Sequence, residues 1–425
     1  MNETLNKFFH FLDASPTSWH AAKEIGRQLT ECGFAPLSET ESWQLEKGTG
    51  YFVVRDGSAV AAFRLPKKKA KRALLLASHL DSPALKLKPI ADVGGEVSQF
   101  FTEIYGSPLL HTWLDRDLAL AGRALVKTKE KPLESLLVYL KEHPLIIPSL
   151  APHLDRSIGE KGLQINKQDH LRPIASLAKN PLMLEEMLRR HISFEELLAH
   201  DLFLVPLEKA AFLGPEKEMI ASYRLDNLTS AFAMLFALTN SKPLDDALQI
   251  CVFFDHEEVG SESFLGAASS FLNQLLDRIA LHEGISGDEL FCFKNRTWCI
   301  SADAAHGYHP NFSDRFDPKN APCLGKGVVL KTNAQQRYAT SATSAAPLIQ
   351  ICKDRKLPLQ TFASKSDIPS GSTVGAIVSA VCGIPTVDIG IASLAMHSIR
   401  ETISSEDLIG LLTLLKEVIH YAPKS

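Results

Sequence analysis

Four stretches of the sequence are almost entirely apolar, and each leads into residue types that commonly bind metal ions. Short runs of this kind are typical of strands that are covered on both faces. Open α/β sheets place their active sites at the carboxyl ends of such strands. The stretches are 72–78 before His79 and Asp81, 249–254 before Glu257 and Glu258, 298–301 before Asp303, and 384–391, which is followed a few residues later by His397. The pattern predicts an α/β domain with one polar site at a sheet edge.

Helical patterns separate these stretches. Residues 226–238 and 262–281 are apolar on one face, and residues 404–407 resemble a capping box at the start of a last helix. The alternation stops between residues 92 and 218, where 100–104 and 118–128 have strand patterns and 133–141 has a helical one. We therefore predict an α/β domain formed by residues 1–91 and 219–425, with a second domain, residues 92–218, inserted into it.

Composition excludes several classes of protein. The 425 residues are 45% apolar and carry a net charge of only −4, which gives no electrostatic footprint for nucleic acid. No stretch approaches the ~20 apolar residues that a membrane-spanning helix needs. The seven cysteines are widely spaced, so reduced cysteines are expected rather than a disulfide framework. Without a signal pattern near Met1, we expect a cytoplasmic protein with neither a nucleic-acid nor a membrane partner.

His79 and Asp81 are two residues apart at the end of the first apolar stretch. This spacing suits an imidazole that binds a metal ion while a carboxylate holds its other ring nitrogen. A hydrogen bond between a surface histidine and an aspartate produces the same pattern. The pair is therefore informative only together with further ligands.

Glu257 and Glu258 are adjacent carboxylates directly after a buried run. Holding two acids there costs stability unless cations or water stabilise them. One of the two could bind a metal ion while the other accepts a proton from water. A solvated acidic turn is the alternative interpretation.

Three further residues complete a possible ligand set. Asp226 is at the start of a predicted helix, where an N-cap is the ordinary role, and His397 could be a hydrogen-bonded core histidine. Together with Asp303, His79 and the paired glutamates, however, they form an oxygen-and-imidazole set that suits two divalent ions. Zinc is the first choice, and cobalt or manganese is possible. The H-E-x-x-H, G-x-S-x-G, P-loop and G-x-G-x-x-G motifs are absent.

The segments around these residues resemble the M18 family of metallo-aminopeptidases, the aspartyl aminopeptidase group, along the whole chain. They include Ser-Pro-Thr-Ser-Trp-His-Ala at 15–21, His-Leu-Asp-Ser-Pro at 79–83, Asp-His-Glu-Glu-Val-Gly-Ser at 255–261, Gln-Arg-Tyr-Ala-Thr at 336–340 and Met-His-Ser-Ile-Arg-Glu at 396–401. The resemblance implies a mixed-sheet α/β metallopeptidase domain with an inserted dimerisation domain. It also implies a homo-oligomer built from dimers, typically a dodecamer, that acts on peptide substrates.

The resemblance further implies a ligand role for five residues. Asp226 would bridge two metal ions, zinc being expected. His79 and Asp303 would complete one ion's site, and Glu258 and His397 would complete the other.

It implies roles for four more residues. Glu257 would be the general base, Asp81 would orient His79, and His153 would act near the scissile carbonyl. Lys331, at the end of the apolar run 327–331, matches a lysine that acid-selective members turn toward the substrate, which predicts a preference for N-terminal Asp or Glu. The alternative for Lys331 is that its side chain extends into solvent.

Other hypotheses remain open at this point. The chain could be an M18-type aminopeptidase that prefers neutral residues, or a related two-metal amidohydrolase that acts on acylated amino acids. An inactive metal-binding scaffold is a third possibility. The complete ligand set and the intact Glu257 favour an active hydrolase.

Overall fold

The computed structural model describes residues 2–177 and 182–421. Within these residues the chain forms three β-sheets and ten α-helices. The strands, numbered along the chain, are β1 Ala35–Leu37, β2 Gly50–Arg55, β3 Ala59–Arg64, β4 Arg72–His79, β5 Ala84–Val93, β6 Val97–Tyr105, β7 Leu118–Lys127, β8 Glu134–Tyr139, β9 Ile174–Leu177, β10 Glu196–Pro206, β11 Ala211–Leu213, β12 Met219–Ser222, β13 Ala247–Phe254, β14 Trp298–Ala302, β15 Ala305–His306, β16 Val328–Lys331, β17 Leu359–Phe362, β18 Thr386–Gly390, β19 Ala392–Leu394 and β20 Glu401–Ser404.

The helices pack mainly around the largest sheet. They are α1 Asn2–Ala14, α2 Ser18–Glu31, α3 Ile158–Lys161, α4 Leu184–Arg189, α5 Leu225–Thr239, α6 Phe271–His282, α7 Asp288–Asn295, α8 Ala342–Arg355, α9 Val374–Cys382 and α10 Ser405–Val418. Among the residues that the structure describes, no helix is long and apolar enough to cross a membrane.

The largest sheet has nine strands in the order β1-β2-β3-β13-β4-β14-β18-β16-β17. Its four central strands, β13, β4, β14 and β18, are parallel to their neighbours in this group. Strand β3 is antiparallel to β13 and β16 is antiparallel to β18, so the sheet is mixed. The predicted mixed-sheet α/β fold is confirmed, and the central strands end at one edge.

Both faces of this sheet are covered, which explains the nearly continuous apolar runs. In β4, Leu74 and Leu76 join the core formed with α1, α2, α5, α8 and α10. Leu75 and Ala77 point the other way, into the core formed with α6, α7 and α9. Because successive side chains of a strand alternate between faces, a strand between two helix layers must be apolar at nearly every position.

Two smaller sheets lie outside this layer arrangement. A six-stranded antiparallel sheet, β8-β7-β10-β5-β6-β9, is built from residues 84–206 and has its own core around Trp113. A five-stranded sheet, β11-β12-β20-β19-β15, is built from strands that all follow that segment in the chain. The chain thus enters the six-stranded sheet near residue 84 and leaves it near residue 206. The assignment of residues 92–218 to an inserted dimerisation domain stays a prediction.

Some local predictions were wrong. Within the stretch 133–141, residues 134–139 form strand β8 instead of a helix, because their backbone pairs antiparallel with β7 over 121–126. The helix expected at 262–281 begins only at Phe271. In contrast, Ser404 caps the last helix as expected, since its Oγ accepts hydrogen bonds from the backbone N–H groups of Glu406 and Asp407. All seven cysteines are free.

Candidate metal centre

His79 is the last residue of β4, and its buried imidazole reaches two carboxylates from other elements. Its Nε2 lies 3.4 Å from Asp226 Oδ1 at the start of α5, and 3.4 Å from Asp303 Oδ1 just beyond β14. A Cβ atom on Gly390, at the end of β18, would lie 1.7 Å from the carbonyl oxygen of Asp303. A glycine there allows the backbone of Asp303 to come this close.

His397 lies in the turn between β19 and β20 and approaches Asp226 from the other side. Its Nε2 is 3.4 Å from Glu258 Oε2 and 3.7 Å from Asp226 Oδ2. The carboxylate of Asp226 therefore lies between two imidazoles, with one oxygen toward each. Asp226 does not serve as a helix cap: the N-cap position of α5 is Arg224, and the backbone of Asp226 is not helical.

Hydrogen bonds to carbonyl groups fix the orientation of both imidazoles. Nδ1 of His79 is 3.1 Å from the carbonyl oxygen of Asp81, and Nδ1 of His397 is 3.1 Å from that of Ser107. Because a carbonyl oxygen only accepts, each Nδ1 must donate its hydrogen. In the neutral rings, the lone pairs of both Nε2 atoms then point into the cluster, as metal ligation requires.

Buried carboxylate oxygens without a partner are a second sign of a cation site. Among the described residues, the buried carboxylate oxygens without a hydrogen bond are Asp226 Oδ1 and Glu258 Oε1 in the cluster and Glu283 Oε1 outside it. One possible ligand atom each from His79, Asp226 and Glu258 lie within 4.8 Å of one another. Because unpaired buried carboxylate oxygens are costly, this donor set fits a divalent cation, and its oxygen-and-imidazole chemistry suits zinc.

Asp81 supports the cluster through backbone contacts. Its buried carboxylate accepts hydrogen bonds from the N–H groups of Glu257 and Glu258, at 3.1 and 3.0 Å, and from the hydroxyl of Tyr105 at 2.7 Å. Its Oδ1 also lies 3.4 Å from Nδ1 of His79. Asp81 therefore holds the turn that carries both glutamates as well as contacting His79. Tyr105 was missed by the sequence analysis.

Glu257 lines a cavity of about 530 Å³ together with the cluster. Its Oε2 is 3.9 Å from Nε2 of His79. Burial raises the pKa of the Glu257 carboxyl to about 8, with His79 opposing the rise and Asp303 adding to it. Burial and the nearby Asp226 also raise the pKa of Glu258 well above its ordinary value. Both shifts arise first from burial and then from neighbouring like charges.

Lys331, the last residue of β16, lines the same cavity and is only 2% exposed. Its Nζ donates to the carbonyl oxygen of Ala304 at 2.8 Å and lies 3.5 Å from Asp303 Oδ2. Burial opposes the charged form, but the carboxylate of Asp303 outweighs it and raises the pKa of Lys331. The side chain does not extend into solvent, so the alternative interpretation of Lys331 as a solvent-exposed strand end is wrong.

His153 is exposed, in the segment between β8 and α3. Among the described residues, no hydrogen bond or ion pair links it to the cluster, so its role stays a prediction. Glu401, in contrast, is buried, and its carboxylate accepts the backbone N–H groups of Asp226 and His397. The sequence analysis missed this contact, and the only available signal was the position of Glu401 within the segment 396–401.

An α/β fold that gathers histidines and carboxylates at the ends of parallel strands is typical of metal-dependent hydrolases. A family model described as aminopeptidase I zinc metalloprotease (M18) matches residues 11–418. The chain belongs to this family, and its function is that of an M18 aminopeptidase.

Related proteins agree with this assignment over the whole chain. The probable M18 family aminopeptidase 2 of Pseudomonas paraeruginosa is 40% identical over 427 residues, which cover 98% of each chain. A chain in the cryo-EM structure of the Ape4 and Nbr1 complex superposes with a TM-score of 0.93 at 33% identity, covering 99% of this chain and 86% of that one. A chain of the S. cerevisiae mApe1 dodecamer superposes with a TM-score of 0.84 at 25% identity, covering 99% of each of the two chains. The predicted family is confirmed.

Zinc binding to the metal-free protein is expected to release protons near pH 7 and to become stronger as the pH rises. Burial opposes protonation of His79, but the carboxylates of Asp226 and Asp303, each 3.4 Å from its Nε2, outweigh this and raise its pKa. With the raised pKa values of Glu257 and Glu258, the metal-free cluster therefore holds protons at neutral pH, whereas metal ligands bind in deprotonated form. Calorimetric titration in buffers of different ionisation enthalpy counts the protons. A zinc affinity that is constant from pH 6 to pH 8 contradicts this prediction.

Proposed function

We propose that the chain is a two-metal aminopeptidase that hydrolyses the N-terminal residue of peptides and prefers Asp or Glu at that position. The observation that carries the proposal is the carboxylate of Asp226 between two imidazoles, with one oxygen toward His79 and the other toward His397. Asp303 completes the side of His79, and Glu258 completes the side of His397. Membership of a family described as zinc metalloproteases supports zinc as the natural ion.

Individual residues of the site have separate roles in hydrolysis. Bound divalent ions supply Lewis acidity and lower the pKa of water at the site. Glu257 faces the same cavity and takes the proton of the attacking water on its carboxylate, with Oε2 on the side of His79. It then delivers this proton to the leaving amine. Asp81 keeps Glu257 in place through the backbone N–H.

Replacing Glu257 by Gln is expected to lower kcat by about 10²- to 10⁴-fold, because an amide cannot accept the proton. The metals should remain bound, since Glu257 is not one of the proposed ligands. The matched control is Glu262→Gln, an exposed glutamate five residues along the same segment, which should behave as wild type. Turnover and metal content are measured together. Near-wild-type kcat in Glu257→Gln at full metal occupancy excludes the general-base role.

The acidic preference is based on the buried ammonium group of Lys331 in the wall of the cavity. In a cavity with little water, a charged hydrogen bond to a substrate carboxylate contributes about 1.5–3 kcal/mol. A rival role is supported by the contacts of Lys331 with Ala304 and Asp303, which would hold a metal ligand in place for any substrate. If Lys331 only holds Asp303 in place, the chain would be an aminopeptidase that prefers neutral N-terminal residues.

Lys331→Met tests the preference, because Met is of similar length and uncharged. If Lys331 binds the substrate carboxylate, kcat/KM for Asp and Glu amides should fall roughly 10- to 150-fold more than for Leu and Ala amides. Lys326→Met, an exposed lysine on the same segment, is the control. A wild type that favours Leu, or an equal loss for acidic and neutral substrates in Lys331→Met, rules out the acidic pocket.

We also propose that the protein is a homo-oligomer, with residues 92–218 as its dimerisation domain and a dodecamer built from dimers as the assembly. Large apolar side chains are exposed in this segment: Leu133 at 60%, Leu150 at 56% and Leu154 at 75%. Exposed apolar side chains mark an interface where they form one contiguous patch. The mApe1 relative is a dodecamer. The proposal includes no nucleic-acid or membrane partner, and a cytoplasmic location stays a prediction.

Sedimentation velocity is expected to show an assembly at least as large as a dimer. Leu154→Glu should weaken it, because it places a charge in the proposed interface. Phe291→Glu, at an apolar side chain that is 64% exposed in α7 and outside the segment, is the matched control. A stable monomer with full activity contradicts the proposal.

A further inference from the structure

Glu401 is the first residue of β20, and its carboxylate joins the backbones of two distant segments. One oxygen, Oε2, accepts the N–H of Asp226 at 2.9 Å. The other, Oε1, accepts the N–H of His397 at 2.7 Å. The side chain is buried, with Glu401 only 1% exposed, so water does not replace either contact easily.

Neither of the two N–H groups belongs to a regular hydrogen-bonded ladder. Asp226 has φ −82° and ψ 106°, which is not helical although it lies at the start of α5. His397 has φ 69°, a left-handed conformation that a side chain makes unfavourable. The backbone at both positions therefore depends on an acceptor from elsewhere in the chain, and Glu401 supplies it for both.

We propose that Glu401 is a positioning residue that fixes the separation of Asp226 and His397, and through it the affinity and coordination geometry of the metal centre. Because both oxygens belong to one planar group, the two N–H groups cannot shift apart independently. The side chains of Asp226 and His397 remain free to face each other, with Oδ2 and Nε2 3.7 Å apart. The inference rests on the proposed ligand roles of these two residues.

Glu401→Gln removes one acceptor while it keeps the size of the side chain. Its NH₂ group then faces a backbone N–H, donor against donor, so one of the two contacts is lost. Glu283→Gln is the control, because Glu283 is also buried and its Oε2 accepts the backbone N–H of Ala70 at 2.9 Å, as well as pairing with Lys47. Ala70 precedes β4 whereas His79 ends it, so Glu283 lies at the opposite edge of the sheet.

The experiment compares metal binding by the metal-free forms of wild type and both variants. Zinc affinity is measured by competition with a chelator, and the visible absorption of the Co²⁺-loaded protein reports the geometry. Glu401→Gln is expected to bind zinc about 10- to 100-fold more weakly and to give an altered Co²⁺ spectrum. Glu283→Gln should match wild type in both, although both variants lower the unfolding temperature of the metal-free protein.

Two results overturn the inference while leaving the proposed function intact. One is wild-type zinc affinity and an unchanged Co²⁺ spectrum in Glu401→Gln. The other is an equal loss of affinity in Glu283→Gln, which would mean that lower stability alone weakens binding. A wild type that binds no zinc contradicts the proposed function itself, and this inference with it.

Amide hydrogen exchange in the wild type provides a test that does not depend on any variant folding. The amides of Asp226 and His397 should both exchange slowly in the metal-free protein, because each donates to a buried carboxylate. Exchange at either amide as fast as in an exposed turn overturns the inference.

Discussion

Mutual repulsion among buried carboxylates is the constraint on which this structure depends. Asp226, Glu257, Glu258 and Asp303 converge on His79, where each negative charge is costly without a nearby cation. The protonated imidazole of His79 and the ammonium group of Lys331 offset part of this cost. The parallel strands explain why these side chains meet. Strands β13, β4 and β14 are adjacent, so the residues at and just beyond their carboxyl ends lie close together.

Two carboxylates outside the proposed ligand set hold the backbones of this cluster in the same way. Asp81 accepts the N–H groups of Glu257 and Glu258, and Glu401 accepts those of Asp226 and His397. In each case one side chain fixes two residues by their main chain. The carboxylates and imidazoles of the cluster are therefore oriented without using their own ligand atoms.

The difference between local and long-range signals explains what the sequence could predict. His79, Glu257 and Asp303 were recognisable because each follows a buried strand, and sheet geometry brings strand ends together. The bridging role of Asp226 needed the family resemblance, since a helix start already explains an aspartate. The contacts of Glu401 are with backbone groups of other segments, which leave no periodic pattern. Strand β8 was missed for a similar reason, because pairing with β7 overrode its helical spacing.

The cluster is assembled from residues that lie very far apart along the chain, from His79 near one end of β4 to Glu401 at the start of β20. During synthesis on the ribosome, the strands that carry His79 and Glu257 emerge long before the turn that carries His397. The centre cannot close until translation has passed Glu401. A nascent chain therefore lacks the complete set of proposed ligands until His397 has been synthesised.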